Sequence, residues 1–486
     1  MNCRSLTTLF LAILTMAAAD GSTTGVLPPN DLEYQFVYDR AERTAVERDE
    51  PLVFHLGPYA LEDIDLSWSP FADLKSLDQQ QVYLFGFFGE NFRAARAEVG
   101  RGWESFRGGL VGMPARRLYM YADFSLDEQL AQDPTYRGKK WRGLAGDVRQ
   151  AFLLYRSGPL AVTAGRFASF WGPRNSLVLS AEKPLDGFGY TFRWGRLTLS
   201  YRLARLDGLN PDRDGSEQFE NRYLAGHRLD INAATWLQLG FFETVVFGGP
   251  GRQIDLFYLN PILFYHGTQL NEGIDDNTFL GLDFSLQPRQ RIRLYGQLLV
   301  DDFQIDRETQ VDEEPDEIAF LTGLHWVNVV PNLDFQLEHS RVTNWTFNQV
   351  QERNRYTYND RLIGGALGND YDLTEATITH WLARATAASL HWRYYRQGEG
   401  QVISEWTAPW LSTSGDYEES FPTGTIEKRM TTAVGLKGFW QGHFFFDING
   451  GVEWIRNFDH SAGINKTVPF VELRISSFLF VPVGIQ

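Results

Sequence analysis

The chain has almost no cysteine: Cys3 is the only one in 486 residues. It sits beside Arg4, ahead of an apolar run at residues 9–16 and the small residues Ala17, Ala18 and Ala19. That order is expected of a secretory signal peptide cleaved after Ala19. A lipoprotein cysteine would stand at the cleavage site instead. Cleavage removes Cys3, so the expected mature chain has no disulfide, thiol nucleophile or thiolate metal site. Long hydrophobic runs are also missing, since no later stretch approaches the ~18 to 20 apolar residues of a transmembrane helix. An exported chain without such a helix can still cross a bilayer as a closed β-barrel. Positive charge is in deficit. Lysine and arginine number 45 against 61 acids, a net charge of −16, and because Arg4 is the only charge in residues 1–19 the remainder carries −17. Such a balance argues against nucleic acid as a partner.

What the chain does have is alternation. Residues 30–46 predict a helix, with Asn30 at its N-cap and Leu32, Phe36 and Val37 as its apolar stripe. Residues 59–74 predict a second amphipathic stretch, interrupted by Pro70. From Gln81 the period changes to two, in segments of about ten residues. In residues 197–204, Leu197, Leu199, Tyr201 and Leu203 oppose Thr198, Ser200, Arg202 and Ala204. In residues 291–300, Ile292, Leu294, Leu298 and Val300 oppose Arg291, Arg293, Tyr295 and Gln297. In residues 388–395, Leu390, Trp392 and Tyr394 oppose Ser389, His391, Arg393 and Tyr395.

A soluble sandwich would alternate in the same way, so the connections decide. Short turns at 157–159, 194–195, 287–290, 330–332 and 441–442 alternate with long polar segments at 131–146, 207–221, 304–317, 344–371 and 397–427. A transmembrane barrel has tight turns on one rim and long loops on the other. The fold class expected is therefore all-β, an antiparallel barrel of about 18 strands with a short N-terminal helical segment. Its divisions are a signal peptide at 1–19, a periplasmic helical segment at 20–78 and an outer-membrane barrel at 79–486. The 14 tryptophans, 20 tyrosines and 36 phenylalanines suit two interfacial girdles, with Phe170 and Trp171 expected in one of them.

Charge is unevenly spread. The long loops at 207–221, 304–317 and 397–427 are acid-rich. Arg202, Arg291, Arg293, His391, Arg393 and Lys437 should face the lumen. There they would either attract an anionic ligand or pair with acids such as Glu243, Asp283 and Asp301. Two apolar connections, 174–186 and 248–268, are expected to fold inward as plugs.

Several blocks carry a resemblance. GRFASFWGPRNSLVLS (165–180) followed by AEKP, HRLDINAATWLQLGFFETVVFGG (227–249), YLNPILFY (258–265), DNTFLGLDF (276–284) and LYGQLLVDDF (294–303) occur in that order. Together they resemble the Wzi-type capsule-assembly family of outer-membrane proteins, well over 165–303 and elsewhere in pattern. The resemblance implies an 18-stranded outer-membrane barrel with a helical periplasmic part. It also implies a lectin-like role, with exported polysaccharide and outer-membrane lipid and lipopolysaccharide as partners, no cofactor and a monomeric state.

A saccharide surface needs planar aromatics to stack on sugar faces and Arg, Asn, Asp or Gln to bond hydroxyls and carboxylates. The candidates are Arg166, Trp171, Asn175, Arg228, Glu243, Asn260, Arg293, Gln297 and Asp301. A diffusion channel for anionic solutes or oligosaccharides stays open as the alternative. A hydrolase is disfavoured: no G-x-S-x-G elbow accompanies the histidines. Asp301 and Asp302 are adjacent on a strand, so only one of them can face inward beside Glu243 as a glycosidase pair.

Overall fold

The computed structural model describes residues 25–48, 50, 56–77, 80–95, 100–133, 136, 138–181, 183–209, 220–304 and 309–484. The expected signal peptide, with Cys3 and Ala19, lies outside these residues, as do parts of the acidic loops at 207–221 and 304–317.

Period-two alternation becomes eighteen barrel strands. They are β1 (Gln81–Ala95), β2 (Arg101–Ala115), β3 (Leu118–Asp127), β4 (Leu144–Ser157), β5 (Leu160–Phe167) and β6 (Leu185–Trp194). Next come β7 (Leu197–Arg205), β8 (Glu220–Ala234), β9 (Leu237–Pro250), β10 (Asn277–Arg289), β11 (Ile292–Asp302) and β12 (Glu317–Val330). The last six are β13 (Leu333–Val342), β14 (Tyr371–Ala383), β15 (Thr386–Gln397), β16 (Glu427–Trp440), β17 (Phe444–Arg456) and β18 (Lys466–Gly484). Each pairs antiparallel with the next, and β1 pairs with β18 from Gln81–Gly484 to Ala95–Phe470, closing the barrel. The last strand thus runs past Phe480 to Gly484.

The apolar faces look outward. Leu84, Phe88, Leu282, Leu390, Val434 and Leu479 are all exposed on the outer wall, as lipid contact requires. Trp194, Trp236, Trp326 and Trp440 form a girdle near the short turns. Arg291 departs from expectation. It occupies the turn between β10 and β11 with φ 72°, and its N–H bonds the Val46 carbonyl.

Eighteen strands enclose a lumen too wide for wall side chains to fill, so other segments must fill it. Helix α1 (Leu32–Arg48) is seated inside the short-turn end. Phe36 packs against Trp381, Phe439 and Phe445 at centroid distances of 5.6 to 6.2 Å. Each ring fully buried in this way contributes about 2–3 kcal/mol. The helix is surrounded for most of its length, so most of its charges are paired, while Arg48 at its end is exposed. Arg43 bonds Asp334 at 2.8 Å, Lys437 bonds Asp39 at 2.6 Å, and Asp31 pairs with Arg107 and with Arg149. The residue just before the helix is Asp31, and Asn30 accepts from Gln150 instead of capping.

The second amphipathic stretch is not an α-helix. Residues 59–74 carry only short 3-10 turns, Leu61–Asp63 and the start of Ala72–Ser76. Pro70, lacking a donor and locking its φ, interrupts helical bonding between them. Leu61, Ile64, Leu66, Phe71 and Leu74 nonetheless join the apolar cluster around α1.

Candidate functional site

The lumen is filled from the wall inward. Strand β5 ends at Phe167, and Phe170–Trp171 pairs briefly with Leu56–Gly57. Gly172 then turns the chain at φ 103°, where a Cβ would lie 2.2 Å from Gln297 Nε2. Only glycine fits there. Trp171 is buried in the lumen and not in an interfacial girdle, because Gln297 on β11 holds it. Gln297 Nε2 donates to the Trp171 carbonyl at 2.8 Å, and its Oε1 accepts the Leu177 N–H at 2.6 Å. Leu177, Val178 and Leu179 are buried beyond it, so this connection folds inward as expected.

A second plug, unexpected from sequence, comes from residues 343–370. Tyr356 Oη donates to the Val178 carbonyl at 2.9 Å. The Gly365 N–H donates to Ser176 O at 2.7 Å, and Ser180 N–H to Ile363 O at 3.1 Å. Gly364 allows this approach, for a Cβ there would meet the Leu177 carbonyl oxygen at 1.9 Å. The wall secures the segment through Asp301, which accepts the Phe347 N–H at 2.7 Å. Arg222 reaches the carbonyls of Arg353 and Arg355 at 2.7 and 2.6 Å.

Two of the remaining cavities flank the plugs. The inner one, about 430 Å³, lies between α1 and the first plug, lined by Asp39, Glu42, Arg174, Asn175, Arg293 and Glu338 among others. Burial opposes charge on Asp39, but Lys437 and Arg174 outweigh it and hold that carboxyl well below the usual range. The outer one, about 510 Å³, lies on the long-loop side of the plugs, lined by Ser180, Lys183, Asn369, Gln397, Gln401 and His460 among others. Glycines make its walls thin: a Cβ on Gly398 would meet Asp370 Oδ2 at 2.0 Å, and one on Gly400 would meet Asn344 Oδ1 at 2.2 Å. Asn369 is buried, and neither its Oδ1 nor its Nδ2 has a partner among the described residues.

Beside this cavity the loops carry an aromatic cluster. Trp345, Trp406 and Trp410 sit 5.0 to 5.7 Å apart. Glu419 accepts from Trp345 Nε1 and Asn344 Nδ2, both at 3.0 Å, and burial raises its carboxyl above the ordinary value. Sequence reasoning took residues 397–427 only as an acidic loop. Trp406, Trp410 and Tyr417 within it were the available signal.

Residues 115–468 match the family described as capsule assembly protein Wzi, a span of well over half the chain. The chain belongs to the Wzi capsule-assembly family. Its closed, apolar-belted barrel is of the outer-membrane type. Among solved structures, it is similar to Escherichia coli Wzi, an outer-membrane carbohydrate-binding β-barrel involved in group 1 capsule assembly. That match has 13% identity and a TM-score of 0.60, covering 95% of this chain and 100% of the other. Pseudomonas aeruginosa OpdK with vanillate matches at 12% identity and TM-score 0.48, covering 82% of this chain and 99% of the other. No curated protein sequence matches the chain.

The stretch matched to the Wzi family contains both plugs and the outer cavity's lining residues, but not α1. Trp171, Asn175, Arg293 and Gln297 meet in the lumen. Asn175 donates to Glu338 at 2.8 Å, and Arg293 lies 3.5 Å from Glu42. Arg228 and Asp301 are also lumenal. Arg228 is fully buried, with Asp283 at 2.5 Å and Asp230 at 2.6 Å. Arg202, too, turns inward, stacking over Phe167 at 3.5 Å. Arg393 lies beside Glu375 and Lys437 on Asp39.

Three candidates lie elsewhere. Arg166 is on the outer wall of β5, bound by two bonds to Asp186 at 3.0 and 2.7 Å. Glu243 faces outward from β9, in register with His227 on the neighbouring strand. Asn260 belongs to residues 251–276, which pack on the outside of the barrel and so correct the expectation of a second inward plug at 248–268. The reason is strand parity. Phe242 and Thr244 point into the lumen, leaving Glu243 and Val245 to anchor the segment outside.

Proposed function

We propose that this member of the Wzi family holds exported polysaccharide at the outer face of the outer membrane by binding it, without catalysis. The supporting observation is the outer cavity: a polar, glycine-walled recess on the long-loop side, closed beneath by two interlocked plugs. Asn369, with both amide atoms unpartnered, can donate and accept at once, which is how an amide reads sugar hydroxyls. The likeness to Escherichia coli Wzi, which binds carbohydrate, supports the same reading. On this view Trp171, Asn175, Arg228, Arg293, Gln297 and Asp301 build the floor of the site and do not touch the sugar. Residues 1–19 direct export and are removed, and the barrel acts as a monomer.

The test is co-sedimentation of the purified barrel with acidic capsular polysaccharide, paired with single-channel recording. Binding that falls at least tenfold in Asn369→Ala, from a barrel without steady conductance, is the expected result. Steady conductance indifferent to polysaccharide would instead establish the diffusion channel.

A further inference from the structure

Residues 251–276 carry a surface that the polysaccharide reading does not use. They contain helix α2 (Tyr265–Glu272), one 3-10 turn at Leu256–Leu259, and their packing lies on the outer wall of β7 to β10, except that Asp275 meets Arg353 and Asn354 of the second plug. Their inner face is fixed with unusual completeness. Tyr258 and Tyr265 are fully buried against Tyr201, Leu203, Tyr223, Val245 and Phe247. Tyr201 Oη and Tyr265 Oη both donate to the Tyr258 carbonyl at 2.9 Å. Glu243 receives the first amides of α2, Tyr265 N at 2.8 Å and His266 N at 2.7 Å. At the other end Gly273, with φ 62°, closes the helix.

The other face is the anomaly. Leu256 is 81% exposed, Ile262 86% and Leu270 70%, with Ile254 and Phe264 also open. Monomeric soluble surfaces rarely gather such side chains in one patch. Residues 256–271 contain no Asp, Glu, Lys or Arg, unlike the acid-rich connections at 207–221, 304–317 and 397–427. Position supplies the occupant. Below the segment, Phe241 and Leu282 belong to the lipid-facing belt. Glu243 stands six residues up β9 from Leu237, at the turn-side end of the strand, and about ten residues of tilted strand cross the apolar band.

We propose that residues 251–276 are a membrane-interface clamp, with Leu256, Ile262, Phe264 and Leu270 embedded among the acyl chains of the outer leaflet. The segment continues the lipid belt upward and outward on one side of the barrel only. Its helix ends are satisfied by a barrel carboxylate and a glycine cap because water is not there to do so. The proposal rests on the barrel's place in a membrane and is independent of any sugar.

The test is nitroxide labelling of the barrel without residues 1–19, which carries no other cysteine, at Ile262→Cys and, separately, Leu270→Cys, in dimyristoylphosphatidylcholine vesicles. Leu479→Cys on the belt and Ser412→Cys on an exposed loop serve as references. Compact migration on unheated gels verifies folding of each variant. Relaxation by oxygen exceeding relaxation by a nickel chelate severalfold, as at Leu479→Cys, is expected. Nickel dominance resembling Ser412→Cys would overturn the proposal. So would exclusion of both reagents with spin–spin broadening, which would make the face a contact between two copies.

Discussion

Residues 174–181 and residues 251–276 are both apolar connections on the long-loop side of the barrel, and they go to opposite sides of its wall. The first is held in the lumen by Gln297, the second on the outer wall by Glu243. Both anchors do the same work, satisfying backbone N–H groups of a segment that leaves the sheet. Only their parity on the strand differs. His227 and Arg228 repeat the lesson side by side on β8: His227 faces outward toward Glu243 at 3.3 Å, and Arg228 faces inward to Asp283. In a barrel wall, a shift of one residue exchanges lipid for lumen.

The comparison can be broken first at its inner side. Arg228→Met leaves the fully buried Asp283 and the partly exposed Asp230 without their shared cation. The expected loss is about 3–5 kcal/mol, read as a lowered urea midpoint for barrel unfolding. Glu243→Ala should lower that midpoint less, since the two bonds it removes hold only α2, a segment that opens locally without unfolding the wall. Hydrogen exchange at the Tyr265 and His266 amides should accelerate at least tenfold while the plugs stay protected. Gln297→Ala is the mirror experiment, costing about 1–2 kcal/mol. Exchange at Leu177 should rise, and α2 should be unaffected. If either variant loosened the other's segment, the two sides would be coupled through the wall.

The smallest effect is titration of the helix inside. Because the folded Asp39 carboxyl is held below its ordinary value, its ion pairs add stability above the unfolded carboxylate range and lose it as pH falls below about 4. Protection factors of α1 amides, with intrinsic exchange divided out, should therefore fall as pH drops below about 4, and Asp39→Asn should flatten that dependence.

Where alternation was clean, the sequence was easily read. Residues 291–300 are polar on one face and apolar on the other, and Arg293, Tyr295 and Gln297 point into the lumen as expected. Residues 237–249 defeated the same reasoning. Phe241, Val245 and Phe247 line one face, Phe242 and Val246 the other, so nothing in the pattern marks which side meets lipid. Glu243, expected among the lumen acids, faces outward instead, and the segment that covers it is invisible to a strand-by-strand reading. The second plug was hidden for a related reason. Residues 343–370 are polar enough to pass for an exposed loop, yet Phe347, Tyr356 and Ile363 are its contacts with the first plug and the wall. The N-terminal helix was legible as a helix, but its burial in the lumen depends on partners such as Asp334 and Lys437 that lie hundreds of residues away.

The backbone bonds between Ser176 and Gly365 and between Ser180 and Ile363 join points separated by more than 180 residues of chain. Eight strands, β6 to β13, lie between the two loops. Closing a loop of that length carries its entropic cost before any contact is gained. The mouth therefore seals late in assembly, after those strands have taken their places, and a barrel arrested earlier in insertion is an open one.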